Sequence, residues 1–536
     1  MRHLPSKSDR LLDGLGSNGA TVMTPDIGLG NWMFQRALRT PHRAALTFEG
    51  TTWTYDQLQH RIDRLAGALR ANGACQGDRV GFLGFNQPAF LETLFATARL
   101  GAIFVPLNFR LTGPELRYII DDAGVHTLIV DAPHRPVIDQ IRAELPCRRF
   151  LSADQPAESW PAIQALIEAH APIGSGTGVA EDDTAVIMYT SGTTGRPKGA
   201  MLTHGNIWWN NINAMHAFDV KESDISLLVA PLFHIGGLNV CSLNIWQKGG
   251  HIVLHRSFDP ARCLDDIARY RATTLFGVPA MLLFISQQPG FATADLSSLD
   301  NIVCGGAPVP EPLMRLYAER GVPINQGYGM TEAAPFVTFL APEWGMAKLG
   351  SAGRTPLFCE IKIVDTSGRE IKEPRVNGEV ITRGPNIMKG YWNNPGATAA
   401  AIDTEGWFHT GDIGCLDEDG FLYIADRLKD MVITGGENVY PAEVESALYD
   451  HPAIAEIAVI GLPDERWGEA VVAVAALKDG TVLELEELCA FGSERLARYK
   501  LPRRLEIVPA LPRNPAGKVL KYELRARFGA AGRPIG

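Results

Sequence analysis

Residues 189–199 read Tyr189-Thr190-Ser191-Gly192-Thr193-Thr194-Gly195-Arg196-Pro197-Lys198-Gly199. Three glycines, four Ser/Thr hydroxyls and a lysine directly follow the apolar run Ala185-Val186-Ile187-Met188. This composition describes a strand running into a loop that can hold phosphate. Glycines let backbone N–H groups approach an anion closely, hydroxyls donate hydrogen bonds or reach a metal ion, and lysine adds a compact positive charge. A Walker A loop needs four residues between its glycines and then Gly-Lys-Ser/Thr. Here Thr193-Thr194 alone separates Gly192 from Gly195, and Pro197-Lys198-Gly199 follows. The spacing therefore excludes the P-loop and predicts a phosphate loop of another kind.

Six further motifs follow, in order: Pro231-Leu232-Phe233-His234, Gly305-Gly306-Ala307-Pro308, Gly327-Tyr328-Gly329-Met330-Thr331-Glu332, Trp407-Phe408-His409-Thr410-Gly411-Asp412, Asp426-Arg427-Leu428-Lys429-Asp430 and Asn514-Pro515-Ala516-Gly517-Lys518. In type and order they resemble the signatures of the adenylate-forming enzymes, which comprise acyl- and aryl-CoA synthetases, beetle luciferases and peptide-synthetase adenylation domains. The resemblance spans residues 30 to 525, about the whole chain, and is closest to bacterial fatty-acid–CoA ligases and feruloyl-CoA synthetases.

The resemblance implies a two-step activation of a carboxylic acid. The acid first attacks the α-phosphate of ATP, giving an acyl-adenylate and pyrophosphate. A thiol then displaces AMP. Such a site must hold several anions together, which calls for metal, lysine and backbone donors. Carried over residue by residue, Thr190, Ser191, Gly192, Thr193, Thr194, Gly195 and Lys198 cradle the phosphates, and Thr190 with Glu332 holds Mg²⁺. Gly306, Ala307, Pro308, Gln326, Gly327, Tyr328, Gly329 and Thr331 form the nucleoside side, with Tyr328 able to stack on adenine. Asp412 accepts the ribose hydroxyls, and Arg427 joins it. Lys518 bridges carboxylate and α-phosphate, a task suited to a point charge on a flexible stem. His234 closes the pocket over the carboxylate. Lys429 is the hinge about which the C-terminal part turns, and Gly435, Gly436 and Glu437 then line the passage for CoA. The implied cofactors are ATP, Mg²⁺ and coenzyme A.

These residues need elements to position them. Leu58, Ile62, Leu65 and Leu69 recur at helical spacing and predict a helix over 55–71 with Thr54 as N-cap. Strands are expected at 78–83, 102–107 and 126–130, and a helix at 90–101. This is a βαβ rhythm, which predicts parallel sheets. The rhythm returns at 226–230, 251–254, 274–278 and 301–303. Residues 347–425 change to short alternating strands and turns, as in a small β-barrel. Beyond Asp426-Arg427-Leu428-Lys429-Asp430 lies an α+β segment with a helix from Pro441, strands at 454–460 and 470–477, and a helix at 483–497. The expected class is multidomain α/β. A loose leader covers 1–26, an adenylating domain 27–427 and a small mobile α+β domain 428–536.

The 536-residue length itself calls for more than one domain. Apolar residues make up 46% and charged residues 21%, an ordinary globular balance. The net charge of −10 disfavours nucleic acid or an anionic membrane as a general partner. Eight scattered cysteines without a C-x-x-C pair suggest reduced thiols rather than a zinc site or disulfide framework. No run of about 18 apolar residues suggests a transmembrane span. A cytoplasmic enzyme is expected, acting on a small carboxylic acid and CoA. A homodimer stays open, since no patch in the sequence decides it.

The presumed pocket walls, Ile235-Gly236-Gly237-Leu238, Val303, Met330 and Ala333-Ala334-Pro335-Phe336, offer no cation for a second carboxylate. Aspartate, which meets the substrate ammonium in amino-acid-activating relatives, is replaced by His234. The acid is thus expected to have an apolar tail. A medium- or long-chain fatty acid comes first, with a feruloyl- or 4-coumarate-type aryl acid as the alternative. Other classes left open are an acyl-adenylate donor to a separate carrier protein, a luciferase-like oxygenase and a nucleotide sensor without catalysis.

Overall fold

The computed structural model describes residues 26–190, 197–307, 309–427, 430–434, 437–464, 466–493, 495–496, 498–513 and 519–529. Among these residues the chain forms four sheets. One, eight-stranded, runs Phe336–Phe339, Ile324–Gly329, Asn301–Gly305, Thr274–Gly277, Ile225–Leu228, His251–Leu254, Ala44–Phe48, Thr51–Thr54. A second, seven-stranded, runs Gly390–Tyr391, Lys198–Thr203, Thr184–Thr190, Ile103–Leu107, Arg79–Leu83, Val125–Val130, Arg149–Ser152. The strands that the βαβ rhythm predicts pair in parallel, for instance Arg79–Leu83 with Ile103–Leu107 and Thr274–Gly277 with Asn301–Gly305.

The sheets are nevertheless mixed, not purely parallel. Antiparallel neighbours close several edges: Thr51–Thr54, Phe336–Phe339, Lys198–Thr203 and Gly390–Tyr391. Thr51–Thr54 follows Phe48 after two residues, a connection short enough to join only antiparallel strands. The region expected to be a small barrel is a four-stranded antiparallel sheet of Glu360–Val364, Gly378–Arg383, Phe408–Leu416 and Leu422–Arg427. The fourth sheet lies in the C-terminal segment, around the long pair Ile454–Asp464 and Gly468–Leu477. The helix Pro441–Tyr449 precedes that pair.

Local rules account for the best-defined elements. Thr54 accepts from the Gln57 backbone N–H while the Gln57 side chain accepts from Thr54, so the helix Tyr55–Ala71 begins with a capping box. Its Leu58, Ile62, Leu65 and Leu69 are all buried. The helix Pro88–Arg99 is buried along its whole length and packs between sheet and helices, with Phe90 edge-on to both Phe82 and Phe104. All eight cysteines are free thiols. Among the described residues no helix is long and apolar enough to cross a membrane.

His204 ties two distant helices together. Its Nδ1 accepts from the backbone N–H of Leu29, at the start of the helix Leu29–Arg39, while His204 itself opens the helix His204–Phe218. Burial holds its imidazole down to about 4 from 6.5. A protonated ring cannot accept that hydrogen bond. Between pH 6.5 and 4 the unfolded chain therefore binds a proton that the folded chain refuses, so stability falls as pH falls through this window. The loss at its lower end is about 3 kcal/mol from this residue. His204→Gln keeps an acceptor but does not titrate. The thermal midpoint of the variant should decline less steeply than wild type from pH 6.5 to 4.5; parallel declines would exclude His204 as a contributor.

Candidate active site

The strand Thr184–Thr190 leads into the candidate phosphate loop, and the strand Lys198–Thr203 returns from it. The two pair as a hairpin, with Thr190 opposite Lys198 and Tyr189 opposite Gly199. Ser191, Gly192, Thr193, Thr194 and Gly195 lie outside the described residues. The sequence reading took the loop as strand-to-loop and missed the returning strand. The signal was there in the run Ala200-Met201-Leu202, but Pro197 and Gly199 punctuate it. Gly199 is required by a close approach: a Cβ there would stand 2.7 Å from Ile187 Cγ2 and 3.0 Å from the Tyr189 ring. Tyr189 is held from below, since its hydroxyl donates to Asp122, and burial together with that carboxylate raises its pKa.

Across from the hairpin roots stands Glu332, in the short turn Thr331–Ala333 that follows the strand Ile324–Gly329. Thr190 Oγ1 donates to Glu332 Oε1 at 3.3 Å. Tyr391 donates its hydroxyl to the same oxygen at 2.9 Å. The turn is shaped by Gly329, where a Cβ would meet the Pro335 carbonyl oxygen at 2.0 Å. That carbonyl accepts from the Met330 N–H.

A carboxylate and a hydroxyl, both hard oxygen donors, converge here. Among the described residues no group of three or more His, Cys, Asp or Glu side chains is placed to hold a metal ion by itself. Mg²⁺ keeps several waters and is usually bound by one or two carboxylates plus substrate phosphates. The donor set of Thr190 and Glu332 fits that ion.

The strand Ile324–Gly329 also carries residues expected on the nucleoside side. Its Gly327 pairs with Gly305, so Gly306 and Ala307 project exposed from the end of the adjacent strand. Pro308 lies outside the described residues. Gln326 turns away into the loop scaffold. Its Oε1 accepts from Val309 N and its Nε2 donates to the Ser351 carbonyl, so both amide heteroatoms have a protein partner. Tyr328 is half-buried and donates its hydroxyl to Asp412 Oδ2 at 2.6 Å. Asp412 is 2% exposed. Its strand, Phe408–Leu416, pairs with Leu422–Arg427 so that Asp412 faces Arg427 in register. Thus Tyr328, Asp412 and the Arg427 backbone come together.

His234 precedes the short helix Ile235–Asn239. Burial, with the nearby Arg110 charge, lowers its pKa to about 4, so the ring is neutral near pH 7. Its buried Nε2 has no hydrogen-bond partner among the described residues. Phe233 stacks beside it, and Phe109 meets Phe233 edge-on. Behind the Gly305–Gly327 pair lies an apolar block. A Cβ on Gly327 would sit 3.4 Å from Phe336, 3.9 Å from Phe339 and 3.9 Å from Val303. Phe218 packs on both Phe336 and Phe339, with centroids 5.1 and 4.2 Å apart.

The remaining expectations fall in the C-terminal segment. Lys429 and Lys518 lie outside the described residues. Gly435 and Gly436 do too; the strands on either side, Val432–Thr434 and Glu437–Val439, pair with Thr434 opposite Glu437. Arg513 and Val519 form an antiparallel bridge that brings the ends of 514–518 together.

Comparison with known proteins agrees with this arrangement. The AMP-binding enzyme family matches residues 33–392, and the AMP-binding enzyme C-terminal domain matches residues 443–518. A feruloyl-CoA synthase from Amycolatopsis sp is 45% identical over 94% of this chain and 99% of its own. An indoleacetate–CoA ligase from Aromatoleum aromaticum is 41% identical over 93% and 97%. The solved Mycobacterium tuberculosis fatty acyl CoA synthetase superposes with a TM-score of 0.76 at 37% identity, covering 94% of this chain and 99% of that one. CoA ligases of this kind use ATP, Mg²⁺ and CoA. With both family matches in chain order and relatives aligned along nearly its whole length, the chain belongs to the AMP-binding enzyme family, among its acid–CoA ligases.

Proposed function

We propose that this enzyme joins an aromatic carboxylic acid, of the arylpropenoic or arylacetic kind, to coenzyme A. The observation that supports the choice is the ring block of Phe218, Phe336 and Phe339 packed behind Gly327. A floor of tilted and edge-on rings complements a flat aromatic tail, whose own edge and face can continue the pattern. Among the relatives reported, feruloyl-CoA synthase and indoleacetate–CoA ligase carry aromatic acids in their names. A medium- or long-chain fatty acid is the second reading, favoured by the solved fatty acyl CoA synthetase.

In this reading the acid's carboxylate oxygen attacks the α-phosphorus and pyrophosphate leaves; the CoA sulfur then attacks the acyl carbonyl and AMP leaves. Residues 190–195 and Lys198 receive the phosphates. Thr190 and Glu332 would hold Mg²⁺, which would supply charge neutralisation for the phosphates. Tyr328 faces the adenine, and Asp412 with Arg427 takes the ribose. His234 meets the carboxylate with its partnerless Nε2, and being neutral it repels no cation that arrives there. Lys518 bridges the reacting groups in the first step. A domain boundary at 427, with Lys429 as hinge, lets residues 435–437 reach the adenylate in the second.

The test is pyrophosphate release with ATP and Mg²⁺ over a panel of hydroxycinnamic, arylacetic, benzoic, fatty and amino acids, each with and without CoA. Turnover is expected on hydroxycinnamic or arylacetic acids, with CoA required for sustained rate. Preference for fatty acids by more than tenfold in kcat/KM would replace the aromatic reading with the second one.

A further inference from the structure

We propose that Tyr391 is a positioning residue for the metal-and-phosphate end of this site, its hydroxyl fixing the Glu332 carboxylate and its ring supporting Lys198. The inference rests on the reading of Thr190, Lys198 and Glu332 given above. It concerns a residue far along the chain, in Gly390-Tyr391-Trp392, that the phosphate-loop motif does not include.

Two contacts meet on one side chain. The Tyr391 hydroxyl donates to Glu332 Oε1 at 2.9 Å, and Lys198 Nζ stands over the Tyr391 ring, 5.1 Å from its centre. Thr190 donates to the same Oε1. Oε2 therefore carries neither of these bonds, and the two hydroxyls together fix the rotation of the carboxylate. The ring face is negative, so it attracts the lysine ammonium and limits its wandering. One residue thus sets the direction of the acid and the place of the base that flank the loop.

The backbone makes Tyr391 a rigid support. Gly390 and Tyr391 pair with Met201 and Ala200 on the returning strand of the hairpin. Lys389 N donates to the Met201 carbonyl and Trp392 N to the Gly199 carbonyl. Trp392 Nε1 donates to the Asp122 carbonyl, and Asp122 is also the acceptor for Tyr189. The segment 389–392 is therefore strapped along the hairpin that carries Thr190 and Lys198.

The hydroxyl and the ring separate by substitution. Tyr391→Phe removes only the donor to Glu332; Tyr391→Leu also removes the ring beneath Lys198. The readout is ATP binding by calorimetry, once with Mg²⁺ and once in EDTA, which needs no acid and no turnover. For Tyr391→Phe the dissociation constant with Mg²⁺ should rise about 10-fold, while that in EDTA stays within about twofold of wild type. For Tyr391→Leu the EDTA value should also rise, by about fivefold. Equal constants for Tyr391→Phe and wild type with Mg²⁺, or an equal rise in both conditions, would overturn the role of the hydroxyl. An unchanged EDTA value for Tyr391→Leu would overturn the role of the ring. Failure of the acid–CoA reading shows differently, as absence of pyrophosphate release with every acid, whatever Tyr391 does to ATP binding.

Discussion

Glu332→Gln will lower acid-dependent ATP–pyrophosphate exchange by roughly 10²- to 10³-fold, the scale on which removing one preorganised electrostatic group acts. Glutamine has nearly the shape of glutamate. Its carbonyl oxygen can still accept from Thr190 and Tyr391, so the hydrogen bonds that hold the side chain survive. Only the charge goes, and with it a hard anionic donor for Mg²⁺. Raising the Mg²⁺ concentration should recover part of the loss. A variant that exchanges within threefold of wild type at low Mg²⁺ would reduce Glu332 to a hydrogen-bond anchor for the hairpin.

Lys518→Ala separates the two half-reactions. Formation of acyl-adenylate from acid and ATP should fall by about 10³-fold or more, because the cation proposed to draw carboxylate and α-phosphate together is gone. Thioester formation from a supplied acyl-adenylate and CoA should remain within a few-fold of wild type. Arg513 and Val519 form an antiparallel bridge, and Arg513 pairs with Glu456 at 2.8 Å. The alanine change leaves those anchors intact. Equal loss of both half-reactions would mean that Lys518 acts in neither step specifically and serves the C-terminal segment as a whole.

Periodic helices and parallel strands were legible in the sequence because their burial is local in pattern. Tyr55–Ala71 and His251–Leu254 form at the expected residues, one from a heptad-like apolar stripe and a cap, the other from a short apolar run. The edges were harder. Lys198–Thr203, Gly390–Tyr391 and Phe336–Phe339 are short strands whose pairing depends on partners supplied by the fold, not on their own alternation.

The site divides the same way. Glu332, Tyr328 and Asp412 stood in recognisable motifs, and the structure brings Glu332 to Thr190 and Tyr328 to Asp412. Gln326 stood in such a motif as well, yet its amide is consumed by Val309 and Ser351. A motif says which residues recur together but not which way a side chain turns. Tyr391 escaped notice because its partners, Lys198 and Glu332, lie in two other segments, and no spacing within Gly-Tyr-Trp announces either.

The strap along the hairpin has one more effect. The strand Lys198–Thr203 lies toward the margin of the seven-stranded sheet, and Gly390–Tyr391 is what covers its outer side. An uncovered strand of this kind offers unpaired N–H and C=O groups to any other chain with an extended segment. The same few residues that border the phosphate site thus guard the sheet against edge-to-edge association. Loosening the segment 389–392 would convert a catalytic lesion into a solubility problem, with a fresh template for strand addition exposed beside the loop.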